Sequence, residues 1–175
     1  MSNRGKSKLR WIGIIVIGAI LFGVPVFVGD AVWAQDLVFT AVRPCRIVDT
    51  REPGPVSGVF SPGEIRDFFV FGTTEISTQG GNPAGCQSPR GEPSAVHINV
   101  TAVPQSGGGH FAVFPSNVAP PDTSLVNYKA GVQNIANAAT IKAFVQVSSE
   151  EISVINRFGF AHLVIDVMGY YYAAP

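Results

Sequence analysis

The alternation of apolar and polar residues from 94 to 103 constrains the fold more than any other feature of this sequence. Its apolar positions are Val96, Ile98, Val100 and Ala102, and the polar residues between them are His97, Asn99 and Thr101. Successive side chains of a β-strand point to opposite faces, so a period of two predicts a strand with one face in a core. The stretch from Ala139 to Val147 alternates in the same way and predicts a second two-sided strand.

The composition extends this interpretation to the whole chain beyond residue 34. Only three leucines remain there, whereas valine and isoleucine are abundant, and this balance favours strands over helices. Turns rich in glycine and proline separate nine predicted strands: 37–42, 44–50, 66–71, 94–103, 110–115, 124–128, 139–147, 152–156 and 162–172. We expect 110–115 to return beside 94–103 as a hairpin, and 78–93 to be a long surface loop.

Such a succession of short strands predicts an all-β fold, a single antiparallel β-sandwich or jelly-roll-like domain over residues 35–175. The segment 162–172 is apolar on both faces apart from Asp166, which is typical of a central strand. An apolar content of 46% excludes wholesale disorder. The sequence has no helical periodicity that would indicate a second domain.

Residues 1–34 form a separate segment with the three parts of a secretory signal peptide. Four basic residues precede an uncharged run over residues 11–28, and Val32 and Ala34 occupy the −3 and −1 positions of a cleavage site after Ala34. The alternative is a retained N-terminal anchor, since 18 apolar residues can just cross a bilayer. Either interpretation predicts export, to the periplasm, the cell surface or the medium.

The charge of the remaining chain argues against nucleic acid as a partner. Residues 35–175 contain eight Lys and Arg against eleven Asp and Glu, a net charge of about −3, so no basic surface attracts phosphates. The glycines at 107–109 lack the lysine and the following helix of a phosphate-binding loop. We expect no cofactor, and membrane contact only through residues 11–28 if the leader is uncleaved.

The two cysteines, Cys45 and Cys86, are most simply one disulfide, because the chain is predicted to be exported. They lie 41 positions apart, and closing a loop of that length stabilises a fold by about 4 kcal/mol. A metal site is a poor alternative, since no second Cys or His stands at ligand spacing.

Three motifs together resemble an uncharacterised family of secreted bacterial domains. They are the octapeptide PCRIVDTR at 44–51, AVHINVT at 95–101 and VIDVMGYY at 164–171, where the family has P-x-R-x-x-D-T-R, then L-N-V-T, then D-V-x-G-Y-F. The resemblance extends over 38–173, with His97 where leucine is usual. It implies a β-sandwich accessory module found alone, in tandem or appended to exported hydrolases, often with a cysteine pair at these two places. It implies no reaction.

The most charged short motif contains Asp49 and Arg51. One interpretation is a ligand pocket in which the planar guanidinium of Arg51 holds a carboxylate or a sugar hydroxyl. The other is a structural network in which Asp49 and Arg51 close a turn and pair with each other, with Asp166 or with backbone. Asp166 needs a partner if it is buried, and Arg46 or Arg51 are the candidates.

Tyrosines are the candidate stacking platforms for a sugar, above all Tyr128 and Tyr171. Because 170–172 alternate sides, some of these rings lie inside and others outside. Neither the scattered acids nor the three histidines form a recognisable catalytic or metal-binding pattern, and no G-x-S-x-G motif is present. We therefore predict neither a catalytic residue nor a bound metal.

These observations predict an exported, non-catalytic binding or adhesion module of the cell surface or envelope, with carbohydrate or an envelope protein as its partner. The alternative is a structural subunit that assembles with itself through exposed strand edges, because an unpaired edge is a template for another strand. A hydrolase of unknown type is a third alternative. Oligomeric state does not follow from the sequence.

Overall fold

The computed structural model describes residues 36–131, 133–144 and 149–175, and these form two four-stranded antiparallel sheets. Sheet A has the strand order β1-β8-β3-β6, and sheet B has the order β2-β7-β4-β5. The predicted all-β sandwich is confirmed. The elements are β1 (Leu37–Asp49), β2 (Ile65–Phe68), α1 (Thr74–Thr78), β3 (Ala95–Ser106), β4 (Gly109–Pro115), β5 (Val126–Tyr128), β6 (Ile135–Lys142), β7 (Ile152–Arg157) and β8 (Phe160–Ala173).

The core lies between the two sheets and uses the alternating residues of the sequence as expected. All four apolar residues of the alternation in β3 are fully buried, as are Leu163, Ile165 and Val167 of β8. Sheet B contributes Phe111 and Val154 from β4 and β7. The strand β8 lies between β1 and β3, which confirms that the last apolar run is a central strand.

The predicted hairpin between β3 and β4 is wrong. β3 pairs with β6 and β8 in sheet A, whereas β4 pairs with β5 and β7 in sheet B, so the chain changes sheet at the turn between them. Two strands on opposite sheets of a sandwich show the same alternation as two paired strands, since each buries one face. Alternation therefore could not distinguish a hairpin from a crossing between sheets.

Several strand boundaries differ from the predictions: for example, β2 ends at Phe68 and not at 71, and β5 begins at Val126 and not at 124. The two predicted pieces at 37–42 and 44–50 are one strand, β1, with register irregularities between Ala41 and Cys45 and between Arg46 and Val48. β6 ends at Lys142 and starts before the predicted segment. Its first four residues are exposed and carry no clear alternation, so the sequence did not indicate where this strand begins. The helix α1 precedes the long loop and was not predicted.

The predicted leader, residues 1–34, lies outside the described residues, as do residues 145–148 of the strand predicted at 139–147. The described residues belong to one compact unit with its own core. Within them, no helix has the length and apolar character needed to cross a bilayer.

Candidate binding face on the outer side of sheet A

The disulfide between Cys45 and Cys86 ties β1 to the long loop that follows α1. The two Cα atoms are 5.9 Å apart, which is the separation that a disulfide requires. Cys86 also pairs its backbone with Gly72 in an isolated bridge. The bond therefore fixes the loop against the edge of sheet A, next to the first motif of the sequence.

The arginine of that motif, Arg46, lies between two carboxylates on the outer face of sheet A. Its Nε donates to Asp166 Oδ1 at 2.9 Å, and its Nη2 donates to Asp166 Oδ2 at 3.3 Å. Its Nη1 donates to Asp49 Oδ2 at 3.1 Å. The hydrogen bond to Asp166 is the main reason that the pKa of Arg46 is raised. Asp166 thus has one of its two predicted partners.

Strand register explains why these side chains meet. Arg46 stands opposite Asp166 in the β1–β8 ladder, and opposite residues of an antiparallel pair point to the same face. Asp166 lies between the buried Ile165 and Val167, so it points away from the core. With 26% of its side chain exposed, Asp166 is half-buried.

Asp49 is the buried member of the cluster, and Arg51 holds it. Asp49 Oδ1 accepts hydrogen bonds from the Arg51 backbone N–H at 3.1 Å and from Arg51 Nε at 2.8 Å, and Oδ2 accepts one from Arg51 Nη2 at 2.6 Å. Burial opposes ionisation of Asp49, but the bonds from Arg51 outweigh it, so its pKa is lowered. Asp49 and Arg51 therefore pair with each other, which is the arrangement that the structural interpretation of this motif expects.

A pocket of about 440 Å³ opens beside Arg46. One wall is the end of β1, and the other is the chain that leaves α1, where Gly81 packs so closely that a Cβ would come within 2.6 Å of the Ile47 carbonyl oxygen. Its polar lining comes from Arg46, Asp49, Glu52, Ser77 and Asn82. Sequence reasoning missed this pocket because its second wall belongs to the irregular loop, which carries no periodic pattern.

Three aromatic rings cluster on the same outer face. The Phe39 ring lies 4.9 Å from the Tyr171 ring and 6.1 Å from the His97 ring, between centroids. Phe39 covers the backbone of Gly169, where any Cβ would collide with its ring. Phe39 remains 45% exposed and Tyr171 is half-buried, so the pair offers ring surface to solvent.

Tyr128, the other predicted stacking residue, is placed differently. It is 6% exposed, and its hydroxyl donates to Asn156 Oδ1 at 2.6 Å and to the Phe158 carbonyl oxygen at 2.9 Å. Burial raises the pKa of this hydroxyl. Its ring belongs to the core, so the expectation that Tyr128 stacks on a ligand is wrong. The strand β5 has only three residues, too few for an alternation that would show whether Tyr128 faces the core or the solvent.

Polar residues of β3 extend the face beyond β8. Asn99 stands opposite Asp166, and His97 stands opposite Gly169 while its Nδ1 lies 3.1 Å from Thr140 Oγ1 of β6. Along β8 the Tyr171 and Asp166 positions are five residues apart, about 16 Å at the usual rise of a strand. The outer face of sheet A thus carries an aromatic pair and a polar row, and a pocket opens beside Arg46 at its β1 edge.

A second buried acid, Glu151, lies at the start of β7 and outside this face. It is 4% exposed, and its Oε2 accepts a hydrogen bond from the Val70 backbone N–H at 2.8 Å. Burial raises its pKa to about 7, since the backbone bonds offset only part of the desolvation. No basic side chain among the described residues forms an ion pair with it.

No protein-family model matches the chain, and neither a curated protein nor a solved structure matches it. Among the described residues, no three His, Cys, Asp or Glu side chains come together where they could hold a metal ion. The resemblance to secreted bacterial domains stays a prediction based on the three motifs.

Proposed function

We propose that this chain is an exported, non-catalytic binding module of the cell surface or envelope, and that the outer face of sheet A binds neutral carbohydrate. The observation that carries the proposal is that the Arg46 pocket and the exposed Phe39–Tyr171 pair both lie on the outer side of sheet A. Sugars present hydroxyl groups at their edges and apolar C–H faces to aromatic rings, and this surface has a partner for each.

The charge balance of the cluster favours a neutral ligand over an anion. Arg46 and Arg51 are neutralised by Asp49 and Asp166, and Glu52 adds a negative charge to the pocket lining. Arg46 uses three of its five N–H groups on the two carboxylates, so two remain for a ligand oxygen. An arginine already held by carboxylates donates hydrogen bonds in a fixed direction without a net positive field.

The dimensions favour an oligosaccharide over a single sugar. The aromatic pair and Asp166 are about 16 Å apart along β8, and His97 and Asn99 lie on the neighbouring strand β3, opposite Gly169 and Asp166. A ligand that contacts both ends therefore has to extend along the strands. The rigid sheet holds these side chains in place, which lowers the entropy lost on binding.

Export and the family resemblance support the setting of this proposal. A disulfide is a feature of oxidising compartments, and Cys45 and Cys86 form one here. The leader predicted over residues 1–34 supplies the route of export. Accessory modules of the family that the three motifs resemble are appended to exported hydrolases, a setting in which carbohydrate binding is useful.

The experiment is a glycan and cell-wall array with purified residues 35–175 and three variants. Phe39→Ala and Tyr171→Ala remove ring surface from the face, and Val118→Ala removes an exposed apolar side chain that lies outside it. We expect saturable binding to neutral oligosaccharides that falls about tenfold in each aromatic variant, a loss of about 1.4 kcal/mol, and is unchanged in the control. Absence of binding by the folded monomer, or equal binding by all four proteins, would contradict the proposal.

One observation favours a second candidate, a self-assembling structural subunit. The edge strand β6 has eight residues without proline and only one charge, Lys142, whereas the edge strands β2 and β5 are short and β1 is irregular. A long regular edge is able to pair with another copy. Sedimentation velocity distinguishes the candidates: assemblies that disappear in Ala136→Lys favour the subunit, and a monomer of wild-type protein excludes it.

A further inference from the structure

The turn between β7 and β8 holds a phenylalanine in a backbone conformation that phenylalanine rarely adopts. Phe158 has a φ of 65°, and it is the one non-glycine residue with positive φ among the described residues. It is also 69% exposed, the most exposed of the large hydrophobic side chains described. Phe158 and Gly159 form the two-residue turn between β7 and β8, and both have positive φ. Glycine or asparagine adopts this conformation with less strain, so an exposed phenylalanine at this position points to a function.

Buried hydrogen bonds lock this turn from beneath. The Tyr128 hydroxyl donates to the Phe158 carbonyl oxygen at 2.9 Å, and Asn156 Nδ2 donates to the Gly159 carbonyl oxygen at 3.0 Å. Tyr128 and Asn156 are themselves joined at 2.6 Å in the core. The Phe158 ring is therefore displayed from a fixed backbone, and little conformational entropy is lost when the turn inserts into an apolar medium.

The neighbouring loops leave the ring uncovered. Gly109 packs so closely under the turn that a Cβ would lie 2.5 Å from the Phe158 carbonyl oxygen, and Gly108 lies beside Lys129. Phe160, two residues further on, is 42% exposed. The His110 ring meets Phe158 edge-on at 6.3 Å between centroids. We call Phe158 and Phe160, with the flanking Arg157 and Lys129, the phenylalanine tip.

The charge of the phenylalanine tip is opposite to that of the whole domain. Arg157 and Lys129 are basic, and the segments 105–110, 128–131 and 157–160 contain no acidic residue. The adjoining segment that bonds to Asn156 carries Glu64, whose charge is paired with Arg66 at 2.7 Å. The net charge of residues 35–175 is nevertheless about −3. Apolar rings flanked by basic side chains are the composition of surfaces that bind anionic lipid.

We propose that the phenylalanine tip inserts into the interface of an anionic lipid bilayer. A lipid surface fits better than a protein partner because the residues that flank the rings are mainly glycines and basic residues, with the His110 ring edge-on to Phe158. Glycines have no side chains with which to form a specific protein interface, whereas basic residues attract lipid phosphates. Two rings give weak, reversible binding, so the tip orients a domain that is held near the membrane by other means.

The test measures co-sedimentation of purified residues 35–175 with vesicles of phosphatidylcholine, with and without phosphatidylglycerol. Phe158→Asn removes the ring and places a residue that accepts positive φ, so this variant keeps the fold and its Tm should rise. Phe158→Trp keeps a ring and reports insertion through its fluorescence. Val118→Ala is the control, since it removes an exposed apolar side chain from the segment between β4 and β5.

We expect binding to the anionic vesicles alone, a tenfold or greater loss in Phe158→Asn, and no change in Val118→Ala. The Phe158→Trp emission should shift to the blue on anionic vesicles and return when salt is raised. Equal binding by wild type and Phe158→Asn would overturn the proposal, as would no binding to anionic vesicles. Cross-linking of Phe158 to a protein without vesicle binding would overturn it too. None of these outcomes depends on carbohydrate binding.

Discussion

Asp49 and Glu151 are almost equally buried, at 3% and 4% exposure, yet their pKa values move in opposite directions. Burial penalises the charge of both carboxylates. Asp49 receives charged hydrogen bonds from two arginines, which outweigh the penalty, whereas Glu151 receives bonds from backbone N–H groups, which do not. Burial alone therefore does not decide the charge of an acid in this fold; the partner does.

The comparison fixes the signs of two pH effects. The folded pKa of Asp49 is lowered, so its contribution to stability is present above the unfolded pKa and is lost as pH falls. The folded pKa of Glu151 is raised from 4.5 to about 7, so its contribution is complete below 4.5 and is lost as pH rises to about 7. The two acids together favour the folded state most in mildly acidic solution.

The largest expected effect comes from the disulfide that fixes the loop beside Asp49. Replacing both cysteines by serine should lower the free energy of unfolding by about 4 kcal/mol, because the 41-residue loop is then free in the unfolded chain. Urea unfolding at pH 5 and pH 8 measures it. The loss of stability between the two pH values should persist in the variant, since Glu151 lies outside the loop. A loss of that pH dependence would contradict its assignment to Glu151.

Removing the charge of Glu151 should have the next largest effect. At pH 8, Glu151→Gln should be more stable than wild type by about 3 kcal/mol, because wild type has to keep a carboxylate ionised in the core. At pH 4 the two proteins should be nearly equal. Thermal unfolding over this range measures the difference, with the neighbouring Glu150→Gln as control. A Glu151→Gln variant less stable than wild type at pH 8 would show that its carboxylate has a partner.

Asp49→Asn should change stability in the opposite direction to Glu151→Gln. At pH 7 we expect a loss of about 2 kcal/mol, since the amide cannot accept all the bonds that Arg46 and Arg51 donate. The difference from wild type should shrink as pH falls through the lowered pKa of Asp49, because protonation removes the charge that the arginines stabilise. Asp122→Asn, at an exposed acid, serves as the control. A constant difference over the whole range would mean that the charge of Asp49 is irrelevant.

Arg51→Lys should give the smallest effect, a loss of about 1 kcal/mol. Lysine keeps the positive charge but cannot make the paired bonds from Nε and Nη2 to the two oxygens of Asp49. The pKa of Asp49 should then move back toward its usual value, which NMR titration of the carboxyl carbon measures. An unchanged pKa would assign the shift to Arg46.

The sequence predicted those features that have a local pattern. Alternation identified β3 and its buried face, the apolar run identified β8 as central, and the two cysteines predicted their bond. Sheet membership was not predictable, because β4 has the same pattern in either sheet. The burial of Glu151 and Tyr128 depends on contacts distant in sequence, with Val70 and Asn156, so neither had a local signal.

The candidate face was predictable in part. Asp49, Arg51, Asp166 and Tyr171 follow from the motifs, whereas their arrangement requires the register of β1 against β8. That register also brings Phe39 beside Tyr171, and the exposed ring of Phe39 could have been anticipated only once the two strands were known to pair. The pocket depends on an irregular loop and on the disulfide that holds it.

The central claim is that the aromatic pair on sheet A binds carbohydrate, and calorimetric titration tests it most directly. The glycan bound most strongly in the array is titrated into residues 35–175 and into the double variant of Phe39→Ala with Tyr171→Ala, each with its fold verified by thermal unfolding. The account predicts binding by wild type and a loss of about a hundredfold in the double variant, if each ring contributes a factor of ten. Equal affinity of the two proteins would contradict it.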